Sequence, residues 1–182
     1  MNVIDKKYNF LKPIKNSNLI RLGRNLDGGY IVDSSIIRKC DTLISFGLGP
    51  DWSFELDYIK KNNQIQIYMY DYTVSSRPYI KEILKYLRRF LTFRTSYESV
   101  STRLQYLNDY RGFLKLKNVS FYREKITYPI KDKIDTDIDK VFSRLPKEKK
   151  VILKSDIEGS EYDAIDQILK YSNRIEMLIF EF

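Results

Sequence analysis

The sequence predicts an α/β fold: a single domain in three layers, built on a parallel sheet. Three observations carry this expectation. Short apolar runs alternate with amphipathic stretches from residue 41 to the end of the chain. A turn with two glycines, Gly47-Leu48-Gly49, follows the first of these runs, and acids stand where later runs end, at Asp71 and Asp156. In an open parallel sheet such positions meet in the crevice outside the carboxyl ends of the strands, so Gly47, Gly49, Asp71 and Asp156 are expected to converge.

The elements follow in order. Residues 1–40 read as an N-terminal extension with a β-hairpin, because "LIRLGRNLDGGYIVD" sets two apolar-leaning stretches about Asp27-Gly28-Gly29, where glycine reaches positive φ without steric penalty. "DTLISFG" is a buried strand, "WSFELDYIKKN" a helix and "QIQIYMYD" a second strand, which together make a βαβ unit. Residues 77–117 form a basic helical insertion with ten Lys or Arg against three Asp or Glu. In its first helix Ile80, Ile83, Leu84, Leu87 and Leu91 share a face, with Lys81, Lys85, Arg88 and Arg89 largely opposite. In its second, Tyr97, Val100, Leu104, Leu107 and Tyr110 recur at spacings of three and four. "NVSFYREKI" reads as a strand and "DTDIDKVFSRL" as a helix that Pro146 ends. "VILKSD" (strand), "EYDAIDQILKYS" (helix) and "EMLIFEF" (strand) complete the series. The last apolar strand has nothing to cover it, so further elements are expected to be missing after it.

Composition narrows the function. The 182 residues, 43% of them hydrophobic, fit one domain spanning 1–182. No run of eighteen apolar residues exists and residues 1–10 lack an apolar signal core, so no transmembrane segment is indicated and a cytoplasmic location is expected. The single cysteine, Cys40, has no partner for a disulfide or a metal site and is read as structural. With no histidine in the chain, acid–base chemistry falls to carboxylates, Lys, Tyr or Cys40. The net charge of +8, concentrated in 77–117, suggests an anionic partner: a phosphorylated or otherwise anionic substrate, a membrane surface or, less favoured, nucleic acid. The bland alternative is a solvated helical face.

Two motifs carry chemistry. In "LISFGLGPDWSFE" a dinucleotide fingerprint would need a third glycine where Ser53 stands, and Asp51 and Glu55 put negative charge where a pyrophosphate would rest on the helix N-terminus. S-adenosylmethionine carries no phosphate and has a cationic sulfonium and an ammonium, so it suits this turn better than NAD. Asp71, 24 positions after Gly47, is placed to accept hydrogen bonds from ribose hydroxyls. In "VILKSDIEGSEYDAI" Lys154, Asp156, Glu158 and Glu161 crowd around Gly159, and clustered carboxylates call for a cation, a proton or a hydrogen-bonded substrate. Favourable acids at a helix start would explain Glu158 and Glu161 but less well Asp156. Asp156 is the candidate general base, with Glu158 beside it as second catalytic residue, and a divalent metal on this pair is an alternative. The role of Lys154 stays open.

The segments "RLGRNLDGGYIV", "LISFGLGPDWSFE", "YMYDYT" and "LKSDIEGSEYDAI", in this order, resemble the FkbM-type methyltransferases, a branch of the class I S-adenosylmethionine-dependent enzymes with a Rossmann-like three-layer sandwich. The resemblance implies O-methylation of a hydroxyl, often on a saccharide or other small molecule, with Gly47, Gly49 and Asp71 at the cofactor. It also implies a terminal antiparallel strand pair beyond "IFEF". The alternative function is a catalytically degenerate Rossmann-like binding protein whose basic helices contact an acidic partner.

Overall fold

The computed structural model describes Lys7, Lys12, residues 15–25 and residues 28–181. Strands β1 (Leu19–Leu22) and β2 (Tyr30–Asp33) pair antiparallel, with Leu22 opposite Tyr30, so the expected hairpin is present. Its Gly28 takes φ +80°, while Asp27 of the expected turn lies outside the described residues. A short helix α1 (Ser34–Ile37) follows that the sequence pattern did not suggest; Asp33 caps it by accepting from the Ser35 amide at 2.8 Å.

The main sheet contains β3 (Thr42–Phe46), β4 (Gln66–Tyr70), β5 (Val119–Tyr122), β8 (Val151–Ser155) and β9 (Ile175–Phe180), in the order β5-β4-β3-β8-β9 and with every pair parallel. The winding therefore runs outward from β3 through β4 to β5 and then reverses through β8 to β9. That reversal puts the topological switch point between β3 and β8. Among the described residues no antiparallel pair stands beside β9.

Period-two alternation divides the core into two layers. Leu43, Ile67, Met69 and Ile152 point to one face, where they meet Leu22 and Val32 of the hairpin, Phe54 and Tyr58 of α2 (Ser53–Lys61), and Leu107, Tyr110 and Phe113 of α4 (Tyr97–Phe113). Ile44, Phe46, Tyr70 and Leu153 point to the other, against Ile138, Val141 and Phe142 of α5 (Ile138–Ser143) and Ala164 and Ile168 of α6 (Glu161–Lys170). With both faces covered, each residue of β3 and β8 is buried, which explains their largely apolar character, and the buried Ser45 and Lys154 are exceptions that lie near the site. The chain is thus α/β with a central parallel sheet of five strands flanked by helices.

Residues 77–117 hold the expected helices, α3 (Arg77–Leu91) and α4. Helix α4 enters the core, where Trp52 packs against Tyr106, Tyr110 and Phe113, whereas α3 has no buried residue and touches the core only through half-buried Tyr79 and Ile83. Two boundaries differ from expectation. "NVSFYREKI" is not one strand, since β5 stops at Tyr122 and Lys125–Ile126 (β6) pairs instead with Asp135–Thr136 (β7). Glu124, between them, turns to a two-pronged bond with Arg144, both contacts 2.8 Å. The following helix consequently begins at Ile138 and not at Asp135. Asp137 caps it by accepting from the Lys140 amide, and Asp135 is buried in β7, accepting from the Lys131 and Asp132 amides.

Candidate functional site

A cavity of about 470 Å³ opens at the carboxyl ends of the strands, over the switch point. Gly47, Gly49, Asp71, Asp156 and Glu158 all line it, so the residues singled out in the sequence do come together.

The glycine turn is its floor. Gly47 (φ +73°) donates its amide to Tyr70 O at 3.0 Å, and the Asp156 amide donates to Phe46 O at 3.1 Å, which stitches the turn between β4 and β8. A Cβ on Gly47 would stand 1.6 Å from Asp156 O, so no larger residue fits there. Gly49 (φ +58°) differs: a Cβ there would meet nothing within 4 Å, because the backbone is bare to the cavity. The turn thus exposes main chain to a ligand at Gly49 and closes it against protein at Gly47.

Asp71 has a more structural role than the sequence suggested. Its Oδ2 accepts from the Gly49 amide at 2.9 Å, and its Oδ1 accepts from Thr73 N (2.7 Å), Thr73 Oγ1 (2.6 Å) and Val74 N (3.2 Å). A carboxylate has about four acceptor directions, so the side chain chiefly pins the glycine turn and leaves one direction on Oδ2 for a ligand. Asp51 is likewise engaged: it accepts from the Ser53 amide and lies 3.3 Å from Arg24 Nε.

Beneath the turn lies Lys154, whose role the sequence left open. Its register partner across β3 is Ser45, so both side chains project toward α2. There Ser45 Oγ donates to Glu55 Oε1 at 2.6 Å, and Lys154 Nζ donates to Gly47 O at 3.0 Å. The ammonium is 3.9 Å from Glu55 and 3.7 Å from Asp156, with Glu55 and Lys154 almost wholly buried. A buried cation between two carboxylates is held in one place, and it fixes the carbonyl of Gly47 and the head of Asp156 together.

Asp156 also meets two residues that sequence reasoning missed. The Tyr30 hydroxyl, from β2, lies 2.7 Å from Asp156 Oδ2 and 2.6 Å from Glu181 Oε2, just beyond β9. Burial first, and then the bonds to Glu181 and Asp156, push the Tyr30 phenol far above its usual range, so it stays protonated. Its one proton can serve only one carboxylate at a time, and the hydroxyl therefore couples the two. An acid directly after a buried strand is the signal that identified Asp71 and Asp156; applied to "IFEF" it would also have found Glu181.

Glu158 is exposed at φ +54°, a left-handed conformation uncommon for a residue with a side chain. Glu161 belongs to the helix and not to the site. It is buried and folds back on the loop, accepting from Ile157 N at 2.6 Å and Gly159 N at 2.7 Å. That removes one carboxylate from the expected cluster. Among the described residues no group of three or more acids, histidines or cysteines is arranged to hold a metal ion.

The lining carries six carboxylates (Asp51, Asp71, Glu124, Asp156, Glu158, Glu181) and two lysines (Lys125, Lys154). Glu124 is neutralised by Arg144, whose hydrogen bonds hold it below the usual carboxylate range, and Asp51 by Arg24. The excess of negative charge thus falls on Asp71, Asp156, Glu158 and Glu181. None of the described residues lining the cavity comes from 77–117, so the basic helices do not wall it and Arg88 and Arg89 do not line it. The charge of the lining is also opposite to what an anionic acceptor requires.

No family model, curated protein or solved structure matches this chain. Its likeness to the FkbM-type enzymes rests on the four motifs alone.

Proposed function

We propose that this chain is an S-adenosylmethionine-dependent O-methyltransferase acting on a hydroxyl of an uncharged small molecule such as a saccharide. The observation that carries the proposal is the acid-rich cavity at the switch point beside a glycine turn left open at Gly49. A cationic cofactor is attracted by this lining, whereas the phosphates of a dinucleotide would be repelled by Asp156, Glu158 and Glu181. The bare backbone at Gly49 and the remaining acceptor direction on Asp71 Oδ2 fit the adenosine end of such a cofactor.

When bound, S-adenosylmethionine supplies an electrophilic methyl group. The chain supplies alignment, exclusion of water and a base. Asp156 takes the proton of the acceptor hydroxyl, because its carboxylate lies on the cavity and is oriented from two sides by Tyr30 and Lys154. Glu181 is coupled to it through the same tyrosine.

Titration calorimetry with S-adenosylmethionine and with NAD tests the cofactor, and transfer of a labelled methyl group to a panel of saccharides tests the reaction. S-adenosylmethionine should bind and NAD should not. Asp156→Asn should lower turnover by about 10²–10⁴-fold and weaken cofactor binding much less, since one of several cavity carboxylates is neutralised but the base is lost. Binding of NAD without S-adenosylmethionine would overturn the proposal; silence toward both would favour the degenerate binding protein.

A further inference from the structure

The α3–α4 hairpin carries a surface that the fold does not use. Along α3 the side chains of Ile80, Leu84, Leu87 and Leu91 follow at intervals of four, three and four, so they form one stripe along the helix. The stripe is exposed, with Leu84 at 51% and Leu91 at 70%. It is not the face that packs on α4. That face belongs to Tyr79 and Tyr86, which meet Tyr106, Tyr110 and the Arg103 guanidinium, and to Phe90 against Tyr97.

The end of the helix adds a further exposed apolar ring. Phe93 is 97% exposed and has φ +57°, in the position after the helix cap where glycine is usual. A phenylalanine there is strained and contributes nothing to the core, so its apolar ring is unexplained by folding.

Charge indicates what covers this face. Lys81, Lys85 and Arg88 each come one residue after a stripe member and so flank it on one side, with Arg89 further round and Arg94 just past the tip. The acid of α3, Glu82, lies 3.9 Å from Arg103 of α4. A second copy docked stripe to stripe would bring two basic flanks together. Residues 1–14 carry Lys6, Lys7 and Lys12 against Asp5 and are therefore also of the wrong sign. An apolar stripe with a basic flank matches the surface of an anionic lipid leaflet, where the stripe enters the acyl boundary and the long cationic side chains reach the headgroups.

We propose that α3 is a membrane-surface helix that lies in the plane of an anionic leaflet, with Leu91 and Phe93 as its inserted end. The attachment is peripheral: among the described residues no helix is long and apolar enough to cross a membrane. It is also independent of the methyltransferase proposal, since the cavity and the stripe share no residue.

Co-sedimentation of the full chain with vesicles of phosphatidylcholine, alone or mixed with phosphatidylserine, tests it. Binding should require phosphatidylserine, weaken as salt rises, and fall about tenfold or more in Arg88→Ala/Arg89→Ala, since each cation near such a leaflet contributes about fivefold. Leu91→Glu and Phe93→Glu should abolish it without changing the circular dichroism spectrum, because both side chains are exposed. A Phe93→Trp variant should show a blue-shifted emission change with vesicles, over the constant signal of buried Trp52. No binding, equal binding to both vesicle types, or an emission from the Phe93→Trp variant that vesicles leave unmoved would overturn the proposal. So would a dimer in sedimentation velocity that Leu91→Glu dissolves, or tighter binding to single-stranded RNA than to vesicles.

Discussion

Tyr30 shows how much one hydroxyl can organise. It joins Asp156 to Glu181, residues 126 and 151 positions away from it, so the hairpin, β8 and β9 meet at a single proton. Tyr30→Phe should keep the ring's edge contact with Phe54 but lower turnover by about 10-fold or more, with little change in cofactor affinity. An unchanged rate constant would reduce Tyr30 to an anchor for the hairpin. Asp71 behaves differently, because its carboxylate mostly serves the protein. Asp71→Ala frees the amides of Gly49, Thr73 and Val74 at once and should cost about 1–3 kcal/mol of stability in urea titration, with cofactor affinity falling alongside. Loss of affinity at full stability would instead return the residue to a direct ligand role. Glu124 sets a pH dependence. Its bond to Arg144 lowers its pKa below the ordinary 4.5, so the folded state binds fewer protons than the unfolded state in that range. The stabilisation is present above pH 4.5 and is lost as pH falls through the lower folded value. Glu124→Gln should therefore flatten the acid limb of a melting-temperature profile while lowering the plateau at neutral pH.

The start of α6 depends on Glu161 in the same way that a helix depends on its cap. The side chain returns to the loop before it and takes two amides, those of Ile157 and Gly159, which bracket Glu158. Glu161→Ala should lower stability by about 1–3 kcal/mol, and Glu161→Gln should recover part of the loss, since its amide oxygen still accepts one of these bonds. Thermal unfolding of the pair distinguishes this from mere helix-dipole charge, which glutamine would not restore. This element also shows what a sequence can convey. The strands β3, β4, β8 and β9 and the helices between them were legible because apolar periodicity and strand-end glycines and acids are local signals. So were Gly47, Gly49, Asp71 and Asp156 as one site. Helix α1 escaped because four residues hold too little periodicity. The break after Tyr122 escaped because Arg144, which takes up Glu124, lies twenty residues beyond that glutamate. Tyr30 and the Glu55–Lys154 contact are products of tertiary folding, and neither spacing nor composition announces them; Glu181 carried the same strand-end signal as Asp71 and Asp156.

At the scale of the whole molecule, stability should fall from the switch point outward. The residues of β3 and β8 are buried throughout, lie between two packed layers and have hydrogen-bonded neighbours on both sides. Opening their amides requires separating the core, so their exchange should approach the limit set by global unfolding. Helix α3 is at the other extreme, with no buried residue, resting on α4 and touching the core only through half-buried Tyr79 and Ile83. Its fifteen residues are held by their own ladder and by contacts to Tyr106, Tyr110, Arg103 and Tyr97. An isolated helix of that length is marginal in water, so these few contacts decide how often it opens. In hydrogen–deuterium exchange at neutral pH the amides of Arg77–Leu91 should exchange at least about a hundredfold faster than those of Thr42–Phe46. Helix α4 should fall between them, since its inner face reaches Trp52 through Tyr110 and Phe113. Equal protection of α3 and β3 would mean that the hairpin and the sheet unfold as one unit. The expected gradient means that α3 can loosen or shift while the strand ends that hold Gly47, Asp71 and Asp156 keep their geometry.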